Sequence, residues 1–112
     1  METNTRLLTV DEADFERRVV KAGRPALVDF SAEWCGPCRA IGPTIEGLAD
    51  DYADRVTVAK VDIDQSPRLA ARYGVRSVPT VMLLDGGEVR RVYVGARPGQ
   101  EYRDGVESLL LT

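Results

Sequence analysis

Cys35 and Cys38 are the side chains of this sequence best suited to chemistry, because they are its only cysteines and it holds no histidine. They lie in the Trp-Cys-Gly-Pro-Cys segment of residues 34–38, directly after the apolar run of residues 26–30. Proline fits the first turn of a helix, where its missing N–H costs nothing. The segment therefore predicts a strand buried on both faces that gives way to a helix at the cysteine pair.

The spacing of the two cysteines predicts dithiol–disulfide exchange. At a helix N-terminus, unpaired N–H groups and the positive end of the helix dipole favour the thiolate of Cys35. Cys38 lies about one turn further along the same face, within the Cα–Cα range that a disulfide accepts. Two buried structural cysteines or a metal-binding pair are the alternatives. Neither alternative explains the Gly36-Pro37 pair that opens the helix or the tryptophan at position 34.

Composition and charge exclude several classes of function. The 15 basic and 18 acidic residues give a net charge of −3, which argues against nucleic acid or an anionic membrane surface as the main partner. Without histidine there is no Ser-His-Asp or Cys-His catalysis, and two cysteines are too few for a four-thiolate zinc site. Because no apolar run suits a secretory signal or a membrane span, we expect one cytoplasmic, monomeric domain, residues 1–112.

Hydrophobic periodicity predicts the element order βαβαβαββα. Strands joined through helices are expected to be parallel, and a hairpin at residues 85–87 makes one pair antiparallel. A slip in the alternation between Val89 and Val92 predicts a β-bulge. The result is an α/β fold, a mixed central sheet with helices on both faces. The predicted strands are residues 7–8, 26–30, 56–62, 80–84 and 88–94, and the predicted helices follow Asp11, Cys35, Ser66 and Gly99.

The segment of residues 28–38 resembles the thioredoxin family closely, and so do residues 60–64, 73–80 and 86–95. The likeness covers nearly the whole chain, in order, and implies a thioredoxin-like fold. It also implies a protein-disulfide reductase, since related oxidases and isomerases usually carry another dipeptide in place of Gly36-Pro37. In the family this dipeptide tunes the redox chemistry of the cysteines.

The resemblance assigns roles to two charges that interrupt apolar strands. The matching carboxylate, Asp29, helps to move the proton of Cys38, and the matching Lys60 tunes that carboxylate. Without the resemblance, the two could form a structural ion pair, or Lys60 could extend into solvent. We expect burial to raise the pKa of Asp29 more than Lys60 lowers it.

The resemblance also predicts a surface for protein substrates around Cys35. Pro79 is cis in the family and faces the cysteines, whereas a strand-opening proline is ordinarily trans. The backbone of Val78 would offer N–H and C=O groups to an extended substrate. Gly95 would leave room for the partner, although it could simply end a strand. The expected apolar collar around Cys35 consists of Trp34, Val75, Val78 and Gly95.

The partners implied by the resemblance are disulfide-containing client proteins and a flavoprotein thioredoxin reductase that uses NADPH. The chain itself is expected to bind no prosthetic group and no metal, its redox centre being the Cys35–Cys38 disulfide. The competing interpretations are an oxidase or isomerase of the same fold, and a non-catalytic module that binds a partner or carries copper or zinc through the cysteine pair.

Two residues depart from the family pattern. Ser31 stands where tryptophan is frequent, and Gly105 stands in the last helix where a large apolar residue is usual. Because glycine in a helix interior costs ~1 kcal/mol relative to alanine, we expect the Gly105→Ala change to stabilise the protein.

Overall fold

A computed structural model describes residues 6–111. These residues form one mixed sheet of five strands with helices on both faces, which confirms the predicted fold class and element order. None of the helices in this range is both long and apolar enough to cross a membrane. The strands are β1 (Leu7–Thr9), β2 (Ala26–Ser31), β3 (Thr57–Asp62), β4 (Thr80–Asp85) and β5 (Glu88–Val94), and the α-helices are α1 (Gly36–Asp51), α2 (Pro67–Arg72) and α3 (Gly99–Leu110).

The first predicted helix is a short π-helix, Glu16–Val20, preceded by a capped turn. Asp11 Oδ1 accepts hydrogen bonds from the N–H groups of Ala13 and Asp14, and Asp14 Oδ1 accepts one from the Asp11 N–H. This reciprocal pairing satisfies N–H groups that would otherwise lack partners. Asp11 therefore caps the turn before the helix, and the prediction that it caps the helix itself was wrong, since the N-cap of this π-helix is Phe15.

The strand order is β1-β3-β2-β4-β5, with β1, β2 and β3 parallel. The prediction that every strand joined through a helix is parallel was wrong, because β4 runs antiparallel to β2. The six residues of α2 span only ~9 Å, while the six residues of β3 span ~20 Å. So short a helix does not return the chain to the opposite end of the strands. Strand β4 therefore starts at the end of the sheet where β3 finishes.

Strand β2 is the centre of the core. Every residue of β2 is buried, as its apolar sequence predicts. Leu27 packs toward Ile45 and Tyr102 on the side of α1 and α3, while Phe30 packs on the side of the π-helix. Strand β2 is thus held on both faces and along both edges, which fixes the position of the chain that leaves it.

The predicted bulge lies in β5. Arg91 pairs with Leu83, but Val89 pairs with the next residue, Leu84, so that one residue of β5 is unpaired. Beyond the bulge, the ring of Tyr93 points to the α3 side of the sheet, where it meets Tyr102 edge-on at 5.2 Å between centroids. Its hydroxyl donates a hydrogen bond of 3.2 Å to the Glu101 carbonyl oxygen.

The ring of Tyr93 overturns the expectation for Gly105. A Cβ built on Gly105 overlaps Tyr93 Oη and lies 2.9 Å from Leu83 Cδ1. The aromatic ring from the strand occupies the space that a side chain on this helix position would need. Helix propensity favours alanine here, but close packing against a buried ring requires glycine.

We predict that Gly105→Ala destabilises the protein by about 1–3 kcal/mol, because the extra methyl overpacks the core. The control is Gly47→Ala in α1, where a Cβ meets nothing within 4 Å, and where alanine should stabilise by up to ~1 kcal/mol. Denaturant unfolding of both variants measures the difference. A Gly105→Ala protein as stable as the Gly47→Ala protein would show that Tyr93 moves aside without cost.

Candidate redox site

The cysteine pair lies where the chain leaves β2 and enters α1. Cys35 is the N-cap of α1, with extended backbone angles (φ −91°, ψ 112°), and Pro37 lies in the first turn. The Cys38 N–H donates a hydrogen bond of 3.2 Å to Cys35 Sγ. This geometry confirms the predicted strand-to-helix junction and directs an otherwise unpaired helix N–H at the first sulfur.

Cys35 and Cys38 form a disulfide, with 5.3 Å between their Cα atoms. Both cysteines are 4% exposed and pack with Ala32, Ile63 and Val78. Among residues 6–111, no cluster of histidine, cysteine and acidic side chains could hold a metal ion. The two sulfurs are joined across the first turn of α1.

Trp34 is the exposed side chain beside the disulfide, with 67% of its surface accessible. Its indole Nε1–H donates a hydrogen bond of 2.8 Å to Asp64 Oδ2. Asp64 is itself held in a turn, because Asp62 Oδ1 accepts from the N–H groups of Asp64 and Gln65. Asp64 was missed as a site residue, since its only signal in the sequence is an acidic residue shortly after the end of β3.

A second loop approaches the cysteines through Val78 and Pro79. Their peptide bond is cis, as the resemblance implied. The Pro79 carbonyl oxygen accepts a hydrogen bond of 2.9 Å from the Gly95 N–H, which ties this loop to the end of β5. Gly95 has a φ of 86°, a left-handed conformation that favours glycine. Three of the predicted substrate residues, Val78, Pro79 and Gly95, thus lie together, whereas Val75 packs toward the core beneath α2.

Asp29 and Lys60 are direct neighbours in the register of β2 and β3. Asp29 is 1% exposed, and its Oδ1 has no hydrogen-bond partner within the part of the chain that the structure describes. Burial raises the pKa of Asp29 to about 6, and the charge of Lys60 lowers it only in part. The expected direction of this pKa is confirmed. Lys60 is exposed rather than buried in the strand, because its long side chain extends to solvent.

Asp29 also faces the helix that carries the cysteines. Leu27 and Asp29 are two residues apart in β2 and so point to the same side of the sheet. Leu27 packs with residues of α1, including Ile41 and Ile45. The buried carboxyl group therefore lies beneath α1, the helix that contains Cys38.

These features together define the class of the protein. A disulfide closed across the first turn of a helix, beside an exposed tryptophan and a buried carboxyl group, is the site of a thiol–disulfide oxidoreductase. The family model described as Thioredoxin matches residues 6–108, and the chain belongs to the thioredoxin family.

Individual relatives agree with this assignment. The chain is 46% identical over 99 residues to a thioredoxin of Rhodospirillum rubrum, which covers 88% of this chain and 95% of the relative. It is 47% identical over 90 residues to a thioredoxin of Acidithiobacillus ferridurans, covering 80% and 83%. It is 46% identical over 92 residues to an M-type chloroplastic thioredoxin of Zea mays, covering 82% and 55%.

The raised pKa of Asp29 predicts how stability depends on pH. Because the folded-state pKa is about 6 and the ordinary value is 3.8, the native protein binds the proton more tightly than the unfolded chain. Stability is then full below pH ~4, falls as pH rises toward 6, and stays reduced above it.

We predict that Asp29→Asn, which removes this ionisation, is more stable than the wild type at pH 7 by about 2–3 kcal/mol, the equivalent of the pKa difference. At pH 3.5 the two proteins should unfold at similar denaturant concentrations, because the carboxyl group is then neutral. Denaturant midpoints of both oxidised proteins from pH 3.5 to 8 provide the measurement. A constant stability difference across this range would contradict the proposed titration.

Proposed function

We propose that this protein is a cytoplasmic protein-disulfide reductase that works as a monomer, reduces the disulfides of client proteins and is itself reduced by a flavoprotein thioredoxin reductase with electrons from NADPH. The observation that carries the proposal is the Cys35–Cys38 disulfide at the N-terminus of α1, with Cys35 Sγ accepting the Cys38 N–H. Its Gly36-Pro37 dipeptide is the one typical of the reductases of this family.

Cys35 is the attacking residue in this proposal. In the reduced protein, its thiolate is stabilised by the first turn of α1 and attacks one sulfur of a client disulfide. A bond forms between Cys35 Sγ and that sulfur, and the other client sulfur leaves as a thiolate. Cys38 then attacks Cys35 Sγ, which restores the Cys35–Cys38 bond and releases the client as a dithiol. The disulfide of the structure is the product of this cycle.

Asp29 is proposed to accept the proton of Cys38 in the second step. A general base works best when its pKa lies near the working pH, and burial raises the pKa of Asp29 to about 6. The unpartnered Oδ1 leaves one oxygen available for this proton, directly or through one water. Lys60, the neighbour in the strand register, is proposed to limit how far the pKa rises.

The proposed docking surface for clients lies beside Cys35. Trp34 offers an exposed indole, which Asp64 holds in place. Val78 and Pro79 pass the disulfide in a loop tied to Gly95, and the backbone of Val78 is proposed to pair with an extended client segment. Apolar contacts and main-chain pairing discriminate little between client sequences, which suits a reductant with many clients. Val75 would contribute at the margin of this surface.

The cysteine variants test the order of attack. We predict that Cys35→Ser abolishes reduction of a protein disulfide, such as those of insulin, in the presence of NADPH and a thioredoxin reductase. Cys38→Ser should instead accumulate a mixed disulfide between Cys35 and the client, because the release step is lost. Mass spectrometry under non-reducing conditions identifies the adduct. Trapping by Cys35→Ser and not by Cys38→Ser would reverse the two roles.

The same assay tests the reductase assignment and the role of Asp29. Asp29→Asn should slow release of the client in a single turnover, while attack by Cys35 changes little. If no thioredoxin reductase oxidises NADPH in the presence of the oxidised protein, this partner is excluded. Equal release rates for Asp29→Asn and wild type would leave Asp29 without a catalytic role.

A further inference from the structure

Strand β5 has an open outer edge. Within residues 6–111 it is the last strand of the sheet and pairs only with β4. The strand at the opposite edge, β1, has only three residues, whereas β5 has seven, and all of them except Tyr93 are exposed. An open edge presents backbone N–H and C=O groups with which another extended chain can pair.

One hydrogen bond shows which backbone groups of β5 point outward. The Gly95 N–H donates to the Pro79 carbonyl oxygen at 2.9 Å, so Gly95 faces β4. Residues of an antiparallel pair alternate in this respect, and Val92 and Val94 therefore direct their N–H and C=O groups away from the sheet. The Arg97 guanidinium donates a hydrogen bond of 3.3 Å to the Val94 carbonyl oxygen. Both backbone groups of Val92 and the N–H of Val94 are left for another chain.

One face of β5 is an exposed apolar stripe. Val92 and Val94 lie on this face, and the bulge brings Val89 to it as well. The reason is that Leu84 and Met82, the partners of Val89 and Val92, both belong to the buried cluster on the side of the π-helix. The three valines are 40%, 47% and 55% exposed, and they are three of the five large apolar side chains that are exposed in residues 6–111.

The opposite face of the strand carries positive charge. Arg90 and Arg91 line a hollow of about 130 Å³ between β5 and α3. The salt bridge of Arg90 to Asp85 is 3.9 Å long, and Arg91 makes none with residues 6–111. Exposed guanidinium groups of this kind pair well with a carboxylate of a binding partner. An added strand would therefore meet valines on one face and arginines on the other.

This edge continues from the proposed client surface. Val94 pairs with Thr80, the residue after Pro79, and the next residue, Gly95, is bonded to Pro79 itself. Neighbouring strands lie ~5 Å apart. A polypeptide that is bound at the backbone of Val78 therefore has the open edge of β5 close beside it.

We propose that the outer edge of β5 is a second docking site for client proteins, which add a strand of alternating apolar and acidic residues antiparallel to residues 91–94. Apolar side chains opposite Val94 and Val92 extend the valine stripe. Because side chains alternate between the faces, the residue opposite Arg91 lies on the other face, where a carboxylate is favoured. Main-chain hydrogen bonds supply affinity, as in other cases of strand addition. The proposal rests on the proposed function only in taking the partner to be a client.

A second copy of the chain fits this edge less well than a client does. The bulge between Val89 and Arg91 limits the regular part of the edge to a few residues. In a symmetric antiparallel pairing centred on Val92, the two copies of Arg91 would be diagonal neighbours on one face, where like charges repel. The same arginine that disfavours self-pairing favours an acidic partner.

The test uses the oxidised, isotope-labelled protein and the synthetic peptide acetyl-Thr-Val-Thr-Val-Glu-Thr-amide as the probe. In antiparallel pairing its valines lie opposite Val94 and Val92, and its glutamate lies opposite Arg91. Amide hydrogen exchange is followed by NMR. At a probe concentration about ten times the dissociation constant, exchange at Val92 and Val94 should slow about ten-fold, since only the free protein exchanges. The Tyr93 N–H, which already faces β4, should exchange at an unchanged rate.

Two N-methylated probes test main-chain pairing without altering the protein. N-methylation of both valines removes the N–H groups that face β5 and should weaken binding at least about ten-fold. N-methylation of the glutamate and of the threonine between the valines removes N–H groups that face solvent, and it should leave the affinity unchanged. Equal affinity of the two methylated probes would contradict strand addition.

A charge exchange tests the predicted acidic residue. Lysine in place of the probe's glutamate should weaken binding roughly five-fold, as expected for one exposed ion pair. Arg91→Glu should reverse this preference. The control is Arg17→Glu, the same charge change in the π-helix, which should preserve it. Equal binding of the glutamate and lysine probes to the wild-type protein would overturn the acidic assignment.

Two further results would overturn the proposal. A saturating probe that protects neither Val92 nor Val94 would show that clients do not bind this edge. Protection of Val92 that rises with protein concentration in the absence of probe would assign the edge to a second copy of the chain. Both are distinguishable from failure of the proposed function, because insulin reduction by Cys35 is measured separately. A protein that reduces insulin without protection of Val92 retains the proposed function and lacks the second docking site.

Discussion

The site depends on one constraint, the fixed junction between a fully buried strand and the first turn of a helix. Strand β2 is enclosed on both faces and paired on both edges, so the chain that leaves it has a defined position and direction. Four residues separate the end of β2 from the start of α1, and the last of them, Cys35, is the N-cap of the helix. The N–H groups of that first turn then stabilise negative charge on one sulfur and leave the other one turn away. The proposed order of attack, Cys35 first and Cys38 second, rests on this difference between the two cysteines.

The same strand carries the main electrostatic cost of the fold. Asp29 is buried, one of its oxygens has no hydrogen-bond partner among residues 6–111, and its ionisation above pH ~6 lowers the stability of the fold because water is excluded. At neutral pH, a neutral side chain of the same shape would make the fold more stable than this carboxyl group does. Its position beneath the helix that carries both cysteines supports the proton transfer proposed for it. Lys60 reduces the cost from the neighbouring strand while its own charge stays in solvent.

Local signals in the sequence predicted most of the elements that position the site, while the roles of Asp29, Pro79 and Gly95 were expected from the family resemblance. The apolar run of β2, the proline after Cys35 and the slip in β5 each act over a few residues, and each prediction was confirmed. Errors arose where distant elements decide the outcome. The direction of β4 depends on the reach of α2 across the sheet, and the need for Gly105 depends on a ring that arrives from β5. The hydrogen bond from Trp34 to Asp64 joins residues thirty positions apart, and local periodicity carries no signal for it.

The central claim, that the helix terminus makes Cys35 the reactive cysteine, is tested most directly by limited alkylation of the reduced protein. Substoichiometric iodoacetamide near neutral pH modifies the cysteine that is more accessible and more ionised, and fragmentation of the peptide identifies it. The structure predicts modification at Cys35, with Cys38 reacting at least about ten-fold more slowly. Equal modification of the two cysteines, or faster modification of Cys38, would contradict the account.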